Sequence, residues 1–414
     1  MSARRDGRRV VVTGAGLYSP VGNSVDELVG ALEHNVSGIR RMPAWDDCDG
    51  LRTRLAGVCP AYAAERIPAK ARRKMGGVTV LACLAAQDAV AAAGLEATRV
   101  AGRRCGVSFG SSAGSPAAQS EYFERYFADH SFKGIPASSY LRFMSHTCAA
   151  SIAVLLHCRG PVVASSTACV SGSQGIGFGY EQIRLGRADA MLCGGAEEMH
   201  PMVAAIFDRM GTTSRKYNDR PQAAPRPFDA ERDGLVVGEG AGCLVLEDYD
   251  HARRRGAPML AEIGGFATSS DGWQYTNADP DGLVVAVEDA LADAGLAPAD
   301  IGYINAHATA TRVGDRAESI ASHRLFGARV PVSSLKGHIG HTLGAAGAIE
   351  AIATIEMLRR GFVAPTLNLE QPDPDCAPLD HVQHEPRPLS FSVAMSNNFA
   401  FGGINTSIVL RRID

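Results

Sequence analysis

Short unbroken apolar runs recur along the whole chain, bounded by glycine-rich turns and interleaved with stretches of helical spacing. Those at 10–13, 105–109, 162–166, 190–193 and 242–246 are followed by others at 259–263, 301–305, 330–334, 391–395 and 406–410. A strand that is apolar on both faces must be covered on both, so these runs predict sheets lying between layers of helices. Helices are expected at 282–294 and 345–360. The first takes Asp281 as its N-cap, just after Pro280, and ends at Gly295. The fold class is α/β.

With 414 residues, the chain exceeds what one small core serves, so two domains or two fused halves are expected. A faint internal echo agrees. Ser165-Ser166 and Ser333-Ser334 each end a strand and lead into a segment of small residues, and Gly194-Gly195 and Gly402-Gly403 follow later strands. The halves are read as 1–250 and 251–414, meeting at the charged run 251–256. A net charge of -3 gives no electrostatic case for nucleic acid or an anionic membrane. No segment is apolar for long enough to span a bilayer, and the run that follows the basic start at 1–9 is too short for a signal-peptide core. A cytoplasmic protein is expected. The ten cysteines are scattered without a Cys-x-x-Cys pair, which argues against a disulfide framework and a zinc site and for buried small side chains.

Four segments at strand exits carry candidate chemistry. In Ser166-Thr167-Ala168-Cys169-Val170-Ser171-Gly172, Cys169 opens a helix, where backbone N–H groups favour an anion and are expected to lower the thiol pKa. Asn305-Ala306-His307-Ala308-Thr309-Ala310-Thr311 presents a histidine straight off a strand. The third segment runs from Lys336 through His338 and His341 to Gly347, among residues small enough for a ligand to approach the backbone. The fourth, 397–403, is read as a turn presenting Phe399 and Phe401.

Together these residues resemble the β-ketoacyl-acyl-carrier-protein synthases, condensing enzymes of synthase I/II type in the thiolase-like superfamily. The likeness runs from Val11-Val12-Thr13-Gly14 through Arg226-Pro227-Phe228-Asp229 and Gly238-Glu239-Gly240-Ala241-Gly242 to Asn405, and the Lys336-x-x-x-Gly340-His341 spacing is its most specific part. The resemblance implies a thiolase-like fold, two similar halves forming a layered αβαβα core. It implies that Cys169 takes an acyl group, that the N–H groups of Cys169 and Phe399 form an oxyanion hole, and that His307 and His341 stabilise the enolate left when malonyl thioester loses carbon dioxide. Lys336 and Glu350 would support the histidines, Thr309 and Thr311 would bind the phosphopantetheine arm, and Phe401 and Ala113 would border the acyl pocket. His338 has no such counterpart and is read as a structural group.

The implied partner is an acyl-carrier protein, which brings the phosphopantetheine, so neither a cofactor nor a metal of the enzyme's own is expected. A homodimer, or a heterodimer with a related chain-length subunit, is implied too. Two positions depart from the common pattern: Ala308 and Ala400 stand where glycine is usual, and Ala400 is expected to stiffen its loop. Phe-Ala-Phe loops of this kind resemble those of ketosynthases in polyene-type type II polyketide systems. Three alternatives remain: a coenzyme A-dependent thiolase, although Phe399 stands on the loop where a second cysteine would be needed; a Cys-His hydrolase, which leaves the second histidine unexplained; and a non-catalytic chain-length subunit, which usually lacks the cysteine.

Overall fold

The computed structural model describes residues 7–413, so 1–6 of the basic start lie outside it. Every apolar run named above becomes a strand of one large sheet. In chain order these are β1 (Val10–Tyr18), β2 (Cys105–Gly110), β3 (Val162–Ser165), β4 (Ala190–Glu197), β5 (Gly240–Asp248), β6 (Ala261–Ser270), β7 (Tyr303–Asn305), β8 (Pro331–Ser333), β10 (Val393–Ala400) and β11 (Ile404–Arg411), with a short β9 (Asp380–His381) at one edge. The order across the sheet is β9-β8-β7-β10-β11-β6-β1-β5-β4-β2-β3.

That order contains one motif twice. In the first half β3-β2-β4 are parallel, and β5 and β1 follow antiparallel; in the second, β8-β7-β10 are parallel, and β11 and β6 follow antiparallel. The two motifs join where β1 meets β6, at Val10 opposite Ile263 through Val12 opposite Ala261.

Six helices matter for the site: α1 (Gly77–Ala92), α2 (Ser171–Arg184), α3 (Pro201–Arg209), α4 (Pro280–Ala294), α5 (Arg312–Phe326) and α6 (Ala346–Arg360). Helix α2 lies on β4 and β2, α6 lies on β10 and β5, and the two pack on each other between the sheet halves. Helix α1 covers β1 and β5 from outside, and α4 covers β6 and β11. The result is a layered αβαβα core. Its middle layer explains why α6 is buried on every side from Ala346 to Leu358, a pattern expected of a helix with no solvent face.

Helix α4 begins two residues earlier than the sequence reading placed its cap. Asp279, not Asp281, is the N-cap and accepts the Asp281 N–H, because Pro280 suits the first helical position and leaves the cap to the residue before it. Gly295 closes the helix in a left-handed conformation as expected. The ten cysteines are free thiols, most of them buried, and no described helix is long and apolar enough to cross a membrane.

The outer helices touch the sheet through glycine. A Cβ on Gly14 of β1 would stand 2.3 Å from the Ala89 carbonyl of α1, and one on Gly265 of β6 would stand 2.6 Å from the Ala290 carbonyl of α4. These equivalent contacts set how close helix and sheet come. Gly14→Ala is therefore expected to destabilise the protein by about 1–3 kcal/mol through overpacking. Urea unfolding checks it, and an unshifted midpoint would show that α1 can back away freely.

Candidate active site

The chain after β3 turns sharply before α2, and Cys169 sits inside the turn. Ala168 takes a left-handed φ of +50°, costly for a residue with a Cβ. The Ser171 hydroxyl holds the turn from both ends, donating to the Ala168 carbonyl at 2.7 Å and accepting the Thr167 N–H at 2.9 Å. Cys169 thus lies in a 3-10 turn (Ala168–Val170) ahead of α2, with 5% of its surface exposed.

His307 leaves β7 on a loop clamped by α5. Glu318 accepts the N–H of His307 at 2.8 Å and that of Ala308 at 2.6 Å. Asp315 accepts the N–H of Ala310 at 3.0 Å and that of Phe228 at 2.7 Å, both residues in left-handed conformation, and lies 3.5 Å from the buried Arg232 guanidinium. Neither acid was singled out from sequence. Asp315 stands in the first turn of the helix after the histidine loop and Glu318 one turn further on, and no spacing in the sequence ties either to the N–H groups of that loop.

His341 lies between a short helix (Lys336–Ile339) and a 3-10 turn (Leu343–Ala345). Its backbone is tied down by the Val236 carbonyl at 2.7 Å and the Gly238 N–H at 2.8 Å. Its Nε2 stands 2.9 Å from Cys169 Sγ. The His307 and His341 rings meet edge to face with centroids 5.1 Å apart, and Phe399 lies edge-on to His307 at 6.1 Å. Lys336 Nζ pairs with Glu350 Oε1 at 2.5 Å, and Asn398 donates to Glu350 Oε2 at 2.7 Å, all fully buried.

Burial controls the electrostatics. It pushes the Cys169 thiol up to about 12, with the Lys336 charge pulling the other way. The expectation of an acidified thiol is thereby corrected: desolvation outweighs what a helix start offers. Burial, reinforced by Lys336, holds both histidines well below their ordinary value. Both effects favour a neutral thiol beside two neutral imidazoles, with His341 Nε2 the nearest ring nitrogen to the sulfur. The sulfur and the nearest ring nitrogens lie within 4.8 Å of one another, but the Lys336 charge that disfavours imidazolium also disfavours a metal cation there.

A cavity of about 560 Å³ opens over these groups, lined by Cys169, His307, His341, Thr309, Thr311, Phe399 and Phe401. The two threonine hydroxyls are 3.1 Å apart, and Phe401 stacks on Phe207 of α3 at 5.8 Å. Ala113 is outside the lining; its loop is held behind the turn, where Ser112 donates to Glu197. Strand β10 runs on through Phe399 to Ala400, paired with Ile404, so the expected turn at 397–403 is confined to its last residues. The left-handed positions there are Gly402 and Gly403, and Ala400, in extended backbone, imposes no strain. Ala308 has no left-handed φ either. His338 bridges the Val36 and Pro365 carbonyls at 3.1 and 3.2 Å, as a structural group would.

The ion pair yields a test. Lys336→Met would leave the Glu350 carboxylate buried without its partner and is expected to destabilise the fold by about 3–5 kcal/mol, with Glu350→Gln in the same chain recovering much of the loss. Chemical denaturation of the single and double variants measures it, and equal stability of the single variant and parent would contradict it.

Family comparisons agree with this geometry. The models for the N-terminal and C-terminal domains of β-ketoacyl synthase match residues 7–252 and 260–370. The 3-oxoacyl-[acyl-carrier-protein] synthase 2 of Vibrio cholerae is 39% identical over 419 residues, covering 98% of this chain and 99% of that protein. A β-ketoacyl synthase crystal structure from Burkholderia phymatum superposes with a TM-score of 0.95 at 46% identity, over 98% of this chain and 100% of that one. The ishigamide ketosynthase/chain length factor follows at 0.92 and 32%, over 99% and 100%. With both domains matched and the likeness running nearly end to end, the chain belongs to the β-ketoacyl synthase family.

Proposed function

We propose that the protein is a 3-oxoacyl-[acyl-carrier-protein] synthase working in fatty-acid or type II polyketide biosynthesis. The observation that carries this reading is the 2.9 Å approach of His341 Nε2 to Cys169 Sγ, with a second neutral histidine in the same buried cavity. The Cys169 thiol attacks an acyl thioester, the carrier thiol leaves, and the acyl group rests on sulfur. The N–H groups of Cys169 and Phe399 receive the oxyanion, a role supported by the place of both residues in the cavity wall. Malonyl thioester then loses carbon dioxide. His307 and His341, each donating a hydrogen bond, stabilise the enolate, whose carbon attacks the acyl carbonyl and expels the Cys169 thiolate. Lys336 and Glu350 hold the histidine electrostatics, and the Thr309 and Thr311 hydroxyls suit the amides of the phosphopantetheine arm. That arm arrives on the carrier, and the enzyme needs no cofactor of its own.

Two rivals fit less well. A thiolase would need a second cysteine, yet Cys169 is the sole cysteine among the described residues that line the cavity. A chain-length subunit would not need the nucleophile. The family matches and the repeated strand order support a division near residue 250, with the nucleophile in 1–250 and the histidines in 251–414. Strand β3 ends the sheet with Val162 half exposed. An edge of this kind suits pairing with a second copy or a related chain-length subunit. A cytoplasmic location fits carrier-linked chemistry of this kind.

Cys169→Ala is expected to abolish the acyl-enzyme, whereas His307→Ala and His341→Ala should suppress carbon dioxide release from malonyl thioester and leave acylation detectable. Intact-mass analysis and a decarboxylation assay read these, and decarboxylation at the parent rate in both histidine variants would sink the enolate role.

Carrier docking is assigned to the basic run at 70–74, around the short helix Ala69–Arg72, where Lys70, Arg73 and Lys74 are exposed. Reversing Arg73 and Lys74 to Glu should raise the KM for carrier-borne substrate roughly tenfold, less so at high salt, and leave small thioesters unaffected. Equal effects on both substrate types would point to a folding defect instead.

A further inference from the structure

One buried charge near the nucleophile has no part in the reaction as set out above. Glu197 ends β4 and is fully buried, and its Oε2 accepts the backbone N–H of Ser112 at 3.0 Å and that of Gly344 at 2.9 Å. Its Oε1 makes no hydrogen bond. Gly344 is the middle residue of the 3-10 turn that follows His341, and Ser112 lies on the loop leaving β2. We propose that Glu197 is a positioning residue for condensation, its carboxylate clamping the turn after His341 to the Ser112 loop so that the imidazole is held at the Cys169 thiol. The inference rests on Cys169 being the nucleophile.

Three features make the clamp specific. The turn starts at Leu343 with a left-handed φ of +48°, a conformation that persists in a residue with a side chain only when its surroundings impose it. Two N–H donors on one carboxylate oxygen supply that restraint. The joint also has no slack, because a Cβ on Gly344 would stand 2.7 Å from Glu197 Oε2 and 2.7 Å from the Ser112 nitrogen. His341 is fixed on its other side by Val236 and Gly238, so the clamp completes the restraint on the segment that carries the imidazole.

The carboxylate also acts on the thiol. Burial pushes the Glu197 carboxyl up to about 7, against the Ser112 hydroxyl and the N–H groups of Gly344 and Ser112, which favour its charge. Its charge raises the Cys169 thiol, as does that of Glu350, while Lys336 lowers it. Cys148 also feels the charge of Glu197, as it does that of Glu198. As pH rises through 7, Glu197 becomes charged, the clamp tightens, and the thiol becomes harder to ionise.

The test uses the full chain as Glu197→Gln, Glu197→Ala and Gly344→Ala, with thermal unfolding to confirm that each folds. Alkylation of Cys169 by iodoacetamide, located by peptide mass, is followed across neutral pH, and condensation kinetics are measured with acyl- and malonyl-coenzyme A. Glu197→Ala and Gly344→Ala should lower kcat by about tenfold or more with KM within about twofold, as expected when a reacting group is misplaced. Glu197→Gln, whose amide oxygen can accept both N–H groups, should keep kcat within about threefold and lack the alkylation inflection near pH 7 that is expected of the parent. A merely structural role would lower the melting temperature and leave the pH profile alone. Parent kcat in Glu197→Ala, or an unchanged inflection in Glu197→Gln, overturns the clamp. Alkylation of some other cysteine in the parent would instead overturn the reading of Cys169.

Discussion

The site depends on how closely three backbone segments meet in the middle of the molecule. A Cβ on Gly172, at the start of α2, would lie 2.7 Å from the Gly344 carbonyl, and one on Gly195 of β4 would lie 2.2 Å from that same atom. The turn carrying the nucleophile, the turn that follows His341, and the end of β4 therefore touch without intervening side chains. A methyl group at any of these points would drive the two turns apart. The contact between His341 and Cys169 spans 2.9 Å, and a misplacement of about 1 Å in a reacting pair costs on the order of a hundredfold in rate. Packing in the middle layer and catalytic geometry are one constraint here.

Burial sets the charge state that this packing holds. A thiol and two imidazoles shut away from water are each pushed toward neutrality. Lys336 is the nearby cation, and Glu350 with Asn398 answers it through hydrogen bonds rather than solvent. The reaction asks for a nucleophile that ionises only when its proton has somewhere to go, and then for two donors that need not be charged. In the proposed reaction, neutral imidazoles beside an ammonium would meet both demands, because the ammonium would favour the thiolate and the enolate as each appears while opposing a resting imidazolium.

Much of this was legible in the sequence, and the gaps have physical causes. The strands could be read because both faces of each are buried, which leaves continuous apolar runs; their ends could not, because β4 and β10 continue through glycine, asparagine and glutamate that are held by backbone pairing rather than by hydrophobicity. Glu197 was passed over for that reason. Cys169, His307, His341 and Lys336 were legible as motif residues, but the acids that hold the loops, Asp315 and Glu318, act through backbone N–H groups that no spacing reveals. The expected stiffness at Ala400 failed because left-handed geometry falls on Gly402 and Gly403, and sequence alone does not say which residue of a glycine-rich turn bears it.

The duplicated topology explains why nucleophile and histidine face each other at all. In the first half a 3-10 turn begins at left-handed Ala168 and leads into α2; in the second, a 3-10 turn begins at left-handed Leu343 and leads into α6. Matching the two at their left-handed residues aligns Thr167-Ala168-Cys169-Val170-Ser171-Gly172 with Thr342-Leu343-Gly344-Ala345-Ala346-Gly347. The counterpart of Cys169 is thus Gly344, and its N–H, equivalent to the one proposed to receive the oxyanion, is occupied by the Glu197 carboxylate. In the proposed reaction one half keeps its turn open for a substrate anion, while the other fills the matching position with the Glu197 carboxylate. A repeated backbone made two such positions available; the side chains at 169, 197 and 344 decide that only one of them does chemistry.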